Sequence, residues 1–301
     1  MTTALPDWKG AVEPTPPREG TSIKSIVLPL DDSEESRTAI PVARKLSELY
    51  KAVLHVTYVG ESSFDLTNEA GRFGLTAEQA RGAVLDQSSG DDADFVVRLT
   101  RELRESLLVM CTAMGRQTGR NRFGSLTESV FASKPERAVL LTPERGNKEW
   151  TLRRILLAHD GTPVSDPATG PAAELAQHSG AEVIALHVAA RGEERPEARG
   201  SIAAPLYVDQ PQHEWPAWAE EFMNRVVAGG ALRSGVHIKL RVTGGQAGSE
   251  LADVAREQGT DLVVMAWHGH WDHEDCATRV VIRNASCPVM LVYSASYPRG
   301  T

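Results

Sequence analysis

The chain has 301 residues, of which 41% are hydrophobic and 24% charged, and a formal net charge of −8. This composition is typical of globular proteins, and the acidic balance argues against nucleic acid or an anionic membrane as a partner, because both are bound through basic surfaces. No apolar stretch approaches the roughly 20 residues that span a bilayer. The three cysteines are too few for a disulfide framework and favour a cytoplasmic protein.

The first part of the chain predicts alternating strands and helices. Residues 1–22 are rich in proline and polar residues, which indicates a flexible arm and not a signal peptide. Residues 26–30 are a continuous apolar run, typical of a strand buried on both faces. A helix over 33–49, capped by Asp32 or Ser33, follows from apolar residues at helical spacing. Further strands are predicted over 53–59, 106–110 and 138–142. A mostly helical stretch is predicted over 75–107, with a break near 88–91, and a helix over 125–133.

The second part repeats the first. The run ILLAHDGTPVS at 155–165 matches IVLPLDDSEES at 26–36, and a Leu-His-Val triplet follows in each copy, at 54–56 and 186–188. Helices are predicted over 171–179, 215–232 and 251–258. The duplication predicts two domains, at 23–146 and 151–297, joined by a short charged linker. The strand–helix alternation predicts an α/β fold in which each domain has a parallel sheet with helices on both faces.

The paired motifs resemble those of a known family. The segments Pro29-Leu30-Asp31-Asp32-Ser33 and His159-Asp160-Gly161-Thr162 each follow the first strand of a copy. With the two Leu-His-Val triplets, the segment Gly124-Ser125-Leu126-Thr127-Glu128 and the segment Cys287-Pro288-Val289, they make the chain similar to a tandem universal stress protein, with two UspA-type domains over about residues 23–143 and 152–295. The resemblance implies Rossmann-like domains of the adenine-nucleotide alpha-hydrolase type, each with a five-stranded parallel sheet.

The resemblance also implies a nucleotide site. In the family's ATP-binding branch, an acid after the first strand holds the adenosine part, and a glycine-rich loop after the fourth strand holds the phosphates through amides at a helix N-terminus. The resemblance places an ATP site in the first domain at seven matching positions: Pro29, Asp31, Val56, Gly115, Gly124, Ser125 and Leu126.

The phosphate loop departs from the family pattern in both copies. In the first copy Cys111 and Met114 stand where two glycines belong. Three arginines at 116, 120 and 122 offer positive charge to phosphates. The alternative interpretation of these arginines is a solvated loop surface. The second copy keeps Asp160, Val188 and Gly269, but its loop is shorter and acidic, and Asp275-Cys276 replace the Gly-Ser. Because carboxylates repel a polyphosphate, ATP is expected in the first domain only.

Other reactive side chains suggest different chemistry. Residues His268, His270, His273 and Cys276 are potential zinc or copper ligands, but no standard finger spacing is present, and an exposed polar loop is the favoured interpretation. His55 and His187 are interpreted as packed strand residues. Cys287 is predicted to be buried, Cys111 is the better redox candidate of the two, and Trp218 is assigned to a core or an inter-domain contact. No catalytic residue is predicted.

These patterns favour a stress-response protein that binds an adenine nucleotide and works by ligand-gated association, without turnover. Two alternatives stay open: a scaffold of the family's non-nucleotide-binding branch, and a metal-binding or slow ATP-hydrolysing enzyme that uses residues 268–276. The two domains are expected to form an intramolecular pseudo-dimer through residues 139–142 and 289–292, which would cover two sheet edges, and a homodimer is a further option. Residues 190–214 are either a lid or a loose loop.

Overall fold

The computed structural model describes most of the chain. The described residues are 23–31, 33–59, 83–87, 92–103, 105–113, 123–133, 138–146, 149–189, 214–230, 236–267 and 276–294. They divide into two compact units. One contains residues 21–151 with Cys287–Met290, and the other is built mainly from Leu152–Ser286. The predicted N-terminal arm and the segment at 190–213 lie outside the described residues.

The first unit is a parallel sheet with helical crossovers. Its strands are β1 (Ser25–Leu30), β2 (Val53–Tyr58), β3 (Val84–Gln87), β4 (Ser106–Cys111) and β5 (Val139–Thr142). They lie in the order β3-β2-β1-β4-β5. Val27 lies opposite His55 on β2 and opposite Leu108 on β4, so the first strand of the chain is the central strand of this sheet. It is buried from Ile26 onwards, as the continuous apolar run predicts.

The helices of the first unit are α1 (Ile40–Tyr50), α2 (Asp92–Glu102) and α3 (Ser125–Ala132). The predicted helix over 33–49 begins instead as a 3-10 turn, Glu35–Ala39, in which the Ile40 amide donates to the Arg37 carbonyl. Pro41 gives the physical reason. It has no amide hydrogen to donate to Arg37, so it suits only the start of an α-helix.

One prediction for the first unit is wrong. The sequence predicts a mostly helical stretch over 75–107, but Val84–Gln87 form strand β3, which pairs in parallel with β2 from His55 to Tyr58. The run is only four residues long, so its sequence carries too little periodicity to separate a strand from a helix. Pairing with β2 decides its conformation.

The second unit repeats this arrangement. Its strands are β6 (Arg154–Ala158), β7 (Glu182–Ala189), β8 (Ile238–Gly244) and β9 (Leu262–Trp267). A further strand, β10 (Val289–Tyr293), begins among residues that belong to the first unit and ends among residues of the second. β6 pairs in parallel with both β7 and β9, and β8 pairs with β7. The helices are α4 (Thr169–Ser179), α5 (Glu214–Gly230), α6 (Ala247–Glu257) and α7 (Ala277–Asn284). A 3-10 turn, Asp166–Ala168, precedes α4.

The strands supply most of the buried apolar side chains. Leu28, Met110, Leu157 and Val264 are all fully buried within parallel strands. Because such strands are covered on both faces, they carry little polar character between their ends. No described helix is long and apolar enough to cross a membrane.

Candidate functional site

The strand order places a crevice at the same point in each unit. In the first unit the chain leaves β1 through α1 towards β2, but it leaves β4 through α3 towards β5, on the other side. The direction of travel across the sheet therefore reverses between β1 and β4. In open α/β sheets, ligands bind outside the carboxyl ends of strands at such a reversal. The equivalent point in the second unit lies between β6 and β9.

An aspartate with the same local structure follows the first strand of each unit. Asp31 Oδ1 accepts a hydrogen bond from the Ser33 amide at 3.0 Å and another from the Ser33 hydroxyl. Asp160 Oδ1 accepts from the Thr162 amide at 2.9 Å and from the Thr162 hydroxyl at 2.7 Å. A carboxylate that binds the backbone two residues later closes a tight turn. Both aspartates are therefore oriented by their own turns at the carboxyl end of the sheet.

A serine five residues after each aspartate completes the turn. In the first unit the Ser36 hydroxyl donates to the Asp31 carbonyl at 3.2 Å, and the Ser36 amide donates to Ser33 Oγ at 3.1 Å. In the second unit the Ser165 hydroxyl donates to Asp160 Oδ1 at 2.6 Å. The Ser33 hydroxyl therefore accepts a hydrogen bond from an amide of the first turn, but the N-cap residue of this 3-10 turn is Glu34, which makes no side-chain cap hydrogen bond.

The environment of Asp160 keeps it ionised. Burial of the carboxylate by itself would raise its pKa, but hydrogen bonds from the Ser165 and Thr162 hydroxyls and from the Thr162 amide outweigh that effect, and the pKa is lowered. The neighbouring His159 acts in the same direction. The residue remains exposed as a whole, so the second unit presents a rigid negative charge at the end of β6.

The start of helix α3 lies against the end of β4. The Gly124 amide donates to the Thr112 carbonyl at 2.9 Å, and the Thr127 hydroxyl donates to the Cys111 carbonyl at 3.0 Å. Gly124 is the N-cap residue and makes no side-chain cap, Ser125 is exposed, and Leu126 is buried. Because β4 is the neighbour of β1, the structure brings Gly124 and Ser125 to the same end of the sheet as Asp31.

The remaining predicted nucleotide contacts differ in accessibility. Pro29 is buried on β1, and Val56, opposite Leu28 on β2, is fully buried. They can shape the apolar floor of a crevice, but they expose little surface to a ligand. Asp31 is half-buried and Ser125 is exposed. Gly115 and the three arginines at 116, 120 and 122 lie outside the described residues.

Cys111 lies in a buried polar cluster at the ends of β4 and β5. Thr38 Oγ1 is 3.1 Å from Thr142 Oγ1 and donates to the Pro143 carbonyl at 3.1 Å. Burial raises the pKa of the Cys111 thiol, against the lowering effect of its hydrogen bonds with Thr38 and Ala113. The residue is fully buried. Thiol reactivity requires an accessible thiolate, so the interpretation of Cys111 as a redox residue is wrong.

The second unit presents a different surface at its crevice. Trp267 ends β9 and is buried, and Cys276, the N-cap residue of α7, is half-buried. The histidines at 268, 270 and 273 lie outside the described residues. Among the residues that the structure does describe, no group of three or more potential ligands could hold a metal ion.

Sequence reasoning identified both aspartates but missed the residues that orient them. The spacing Asp-x-Ser-x-x-Ser at 31–36 recurs as Asp-x-Thr-x-x-Ser at 160–165, and this shared spacing was the available signal. The roles of Thr38 and Thr142 were missed too, because they depend on a contact between elements that are distant in sequence. Thr127 stood in a motif that the sequence analysis quoted, but its bond to the Cys111 carbonyl was not predicted.

Comparisons with known proteins bear on both halves. Residues 151–293 match the sequence model of the Universal stress protein family. Among curated proteins there is no match to the chain. A universal stress protein from Archaeoglobus fulgidus DSM 4304 has a similar structure, with a TM-score of 0.60 and 15% identity over 92% of this chain and 98% of that chain. A putative universal stress protein from Pseudomonas aeruginosa UCBPP-PA14 has a TM-score of 0.61 and 13% identity, over 91% and 94% of the two chains. At these identities the likeness is one of fold.

Proposed function

Since residues 151–293 form a domain of the universal stress protein family, we propose that the chain is a tandem stress protein whose first half binds an adenine nucleotide. The observation that carries the proposal is that Asp31 follows β1 while α3 begins against the end of the neighbouring strand β4, where the strand order reverses. That position is the usual ligand site of a doubly wound sheet. The proposed domains are residues 23–146 and 151–297.

Each site residue has a proposed role. The Asp31 carboxylate, oriented by Ser33, accepts hydrogen bonds from sugar hydroxyls. The first hydrogen bond within α3 runs from the Glu128 amide to the Gly124 carbonyl. The amides of residues 125–127 come before it in the chain and lie at the positive end of the helix dipole. These amides donate to phosphate oxygens, with Gly115 completing the loop. Pro29, Val56 and Leu126 line the apolar floor beneath the base.

The role proposed for the nucleotide is to gate association, without turnover. No catalytic group is assigned, and Asp160 in the second half serves as a turn-forming residue. We propose that the two halves pair through residues 139–142 and 289–292, so that the ligand state of the first half controls the surface offered to a partner. The second half then acts as a scaffold.

A pair of matched substitutions tests the nucleotide site. Gly124→Asp places a carboxylate at the N-cap of α3, and Cys276→Asp does the same at α7. Aspartate is a favourable N-cap residue, so both helices should form, while the new charge at Gly124 repels phosphate. We expect ATP to raise the melting temperature of the wild type and of Cys276→Asp. Gly124→Asp should need at least about tenfold more ATP for the same shift, a difference of about 1.4 kcal/mol.

The nucleotide itself is identified by mass spectrometry and absorbance of ligand released on denaturing the purified chain. About one adenine nucleotide per chain, lost in Asp31→Asn and kept in Asp160→Asn, supports the proposal. An empty wild-type protein whose melting temperature is unchanged by millimolar ATP would contradict it and favour the scaffold alternative.

A further inference from the structure

Two buried histidines of the second unit meet beneath helix α5. His159 follows β6, its side chain is completely buried, and its ring packs edge-on against Phe222, with centroids 5.5 Å apart. His187 on β7 is also buried, and its ring lies 5.2 Å from Trp218 and 5.3 Å from Phe222. We call His159 and His187 the histidine pair. It joins the turn after β6 to the aromatic face of α5.

Both ring nitrogens of His159 lie close to polar neighbours. Its Nδ1 accepts the Gly161 amide hydrogen at 3.1 Å, and its Nε2 lies 3.3 Å from Asp166 Oδ1 without meeting hydrogen-bond geometry. The hydrogen bond at Nδ1 fixes the ring to the turn after β6.

The buried position of His187 disfavours a charge on its ring. Its Nδ1 lies 3.4 Å from the His159 carbonyl, which can only accept a hydrogen bond. Burial lowers the pKa of His187 below its ordinary value of 6.5, and this outweighs the raising effects of the His159 carbonyl and of the Asp160 charge. A charged ring in this apolar position would lose its hydration without gaining a contacting counterion.

Helix α5 is fastened to the same turn by a third contact. Arg225 donates from Nη1 to the Gly161 carbonyl at 2.7 Å. Trp218, Phe222 and Arg225 are spaced by four and three residues, so they share one face of the helix. Gly161 therefore contacts His159 through its amide and Arg225 through its carbonyl.

We propose that the histidine pair is an acid-sensitive latch: protonation of His187 releases helix α5 from the turn after β6 and exposes the aromatic face of the helix. Release lets the protonated His187 ring reach water.

The charged neighbours of the pair act in both directions, and burial outweighs the raising effect of Asp160 on the pKa of His187. The turn after β6 contributes Asp160 and Asp166, and α5 contributes Arg225. β8 places uncharged Val242 opposite His187. Helices α4 and α6 also pack on β7, and within the described residues neither adds a charge that shifts the pKa of His187.

The direction of the pH effect follows from proton linkage. Because the latched state has the lower pKa at His187, the released state binds protons more readily as the pH falls through 6.5. For one proton, the equilibrium constant for release rises about tenfold for each pH unit between the two pKa values. Above that window the latch is closed.

Hydrogen exchange monitored by mass spectrometry on the full chain tests the latch. After correction for intrinsic exchange, the α5 amides should lose up to about tenfold in protection between pH 7.5 and pH 5.5, while those of α6 should change little. His187→Gln and His187→Phe should each abolish the loss. His55→Gln is the matched control in the first unit, where the equivalent ring is only half-buried, and it should retain the wild-type response.

Three results would overturn the proposal. Protection could fall equally in α5 and α6, which indicates general acid unfolding. It could stay constant in the wild type over the whole range. It could also fall in both His187 variants as it does in the wild type. If His187→Gln does not fold, His187→Phe, which keeps a ring among the aromatic side chains, gives the same test.

Discussion

Gly248 of α6 lies so close to Val280 of α7 that a Cβ atom at position 248 would be 2.7 Å from the Val280 Cβ and 3.1 Å from the Ala277 carbonyl. No other residue fits there without moving one helix away from the other. Gly248 therefore sets the distance between α6 and α7, the helices that precede and follow β9 in the chain.

We expect Gly248→Ala to reduce the free energy of unfolding by about 1–3 kcal/mol, the usual cost of overpacking. Gly170 is the matched control, because it occupies the same second position of a helix, in α4, and a Cβ atom added there would have nothing within 4 Å. Gly170→Ala should raise stability by about 0.4–1 kcal/mol. Urea denaturation of the two variants measures both values, and equal effects would contradict the close-approach explanation.

Asp160 should make stability depend on pH in the acid range. Its lowered pKa means that the ionised carboxylate stabilises the fold above its ordinary value of 3.8, and that this contribution is lost as the pH falls through the lower folded value. Asp160→Asn should reduce the free energy of unfolding by about 1–2 kcal/mol at pH 7, because hydrogen bonds to a charged group are lost. Screening by solvent keeps the effect small. Acid titration should bring wild type and variant together as the pH falls below the lowered pKa of Asp160; a constant difference would argue against the ionised turn.

The three cysteines should react at different rates. Cys111 is fully buried with a raised pKa, Cys287 is 7% exposed, and Cys276 is half-buried at the start of α7. We expect iodoacetamide to label Cys276 first in the native protein at pH 7.5, and the other two only in denaturant. Peptide mass spectrometry gives the order, and early labelling of Cys111 would restore it as a redox candidate.

Thr127 should anchor α3 to β4. Its hydroxyl is fully buried and donates to the Cys111 carbonyl, so Thr127→Val leaves that carbonyl without its partner at nearly constant volume. We expect a loss of about 1–3 kcal/mol in the free energy of unfolding. Ser129→Ala, on the more accessible side of the same helix, should change it by less than about 0.5 kcal/mol. Similar values for the two variants would show that the buried bond contributes little.

The strands of each sheet core were the most predictable part of the fold. Residues 26–30 and 262–265 are unbroken apolar runs, and burial on both faces leaves that pattern in the sequence. Strand β3 was missed because pairing with β2 determines it, and a run of four residues carries no clear period. The helix start was misplaced because the effect of Pro41 on the preceding turn was overlooked.

The candidate site was predictable only where one segment carries all of its parts. Asp31 and Asp160 follow apolar runs directly, so their place at the sheet end could be derived from the strands. The cluster of Thr38 with Thr142 could not, because the two residues are 104 positions apart in the chain. Likewise, nothing in the sequence around His187 shows that Trp218 and Phe222 cover it; that contact requires the packing of α5 on β7.

The central place of β1 and β6 has a consequence for biosynthesis. Val27 pairs with Leu108, and Leu157 with Val264, so each central strand is translated long before its second partner. At a typical rate of about 5–20 residues per second, β1 waits for several seconds with the backbone groups of one edge unpaired, and β6 for longer. Nascent chains of this protein are therefore expected to offer chaperones an unpaired strand twice in one round of translation.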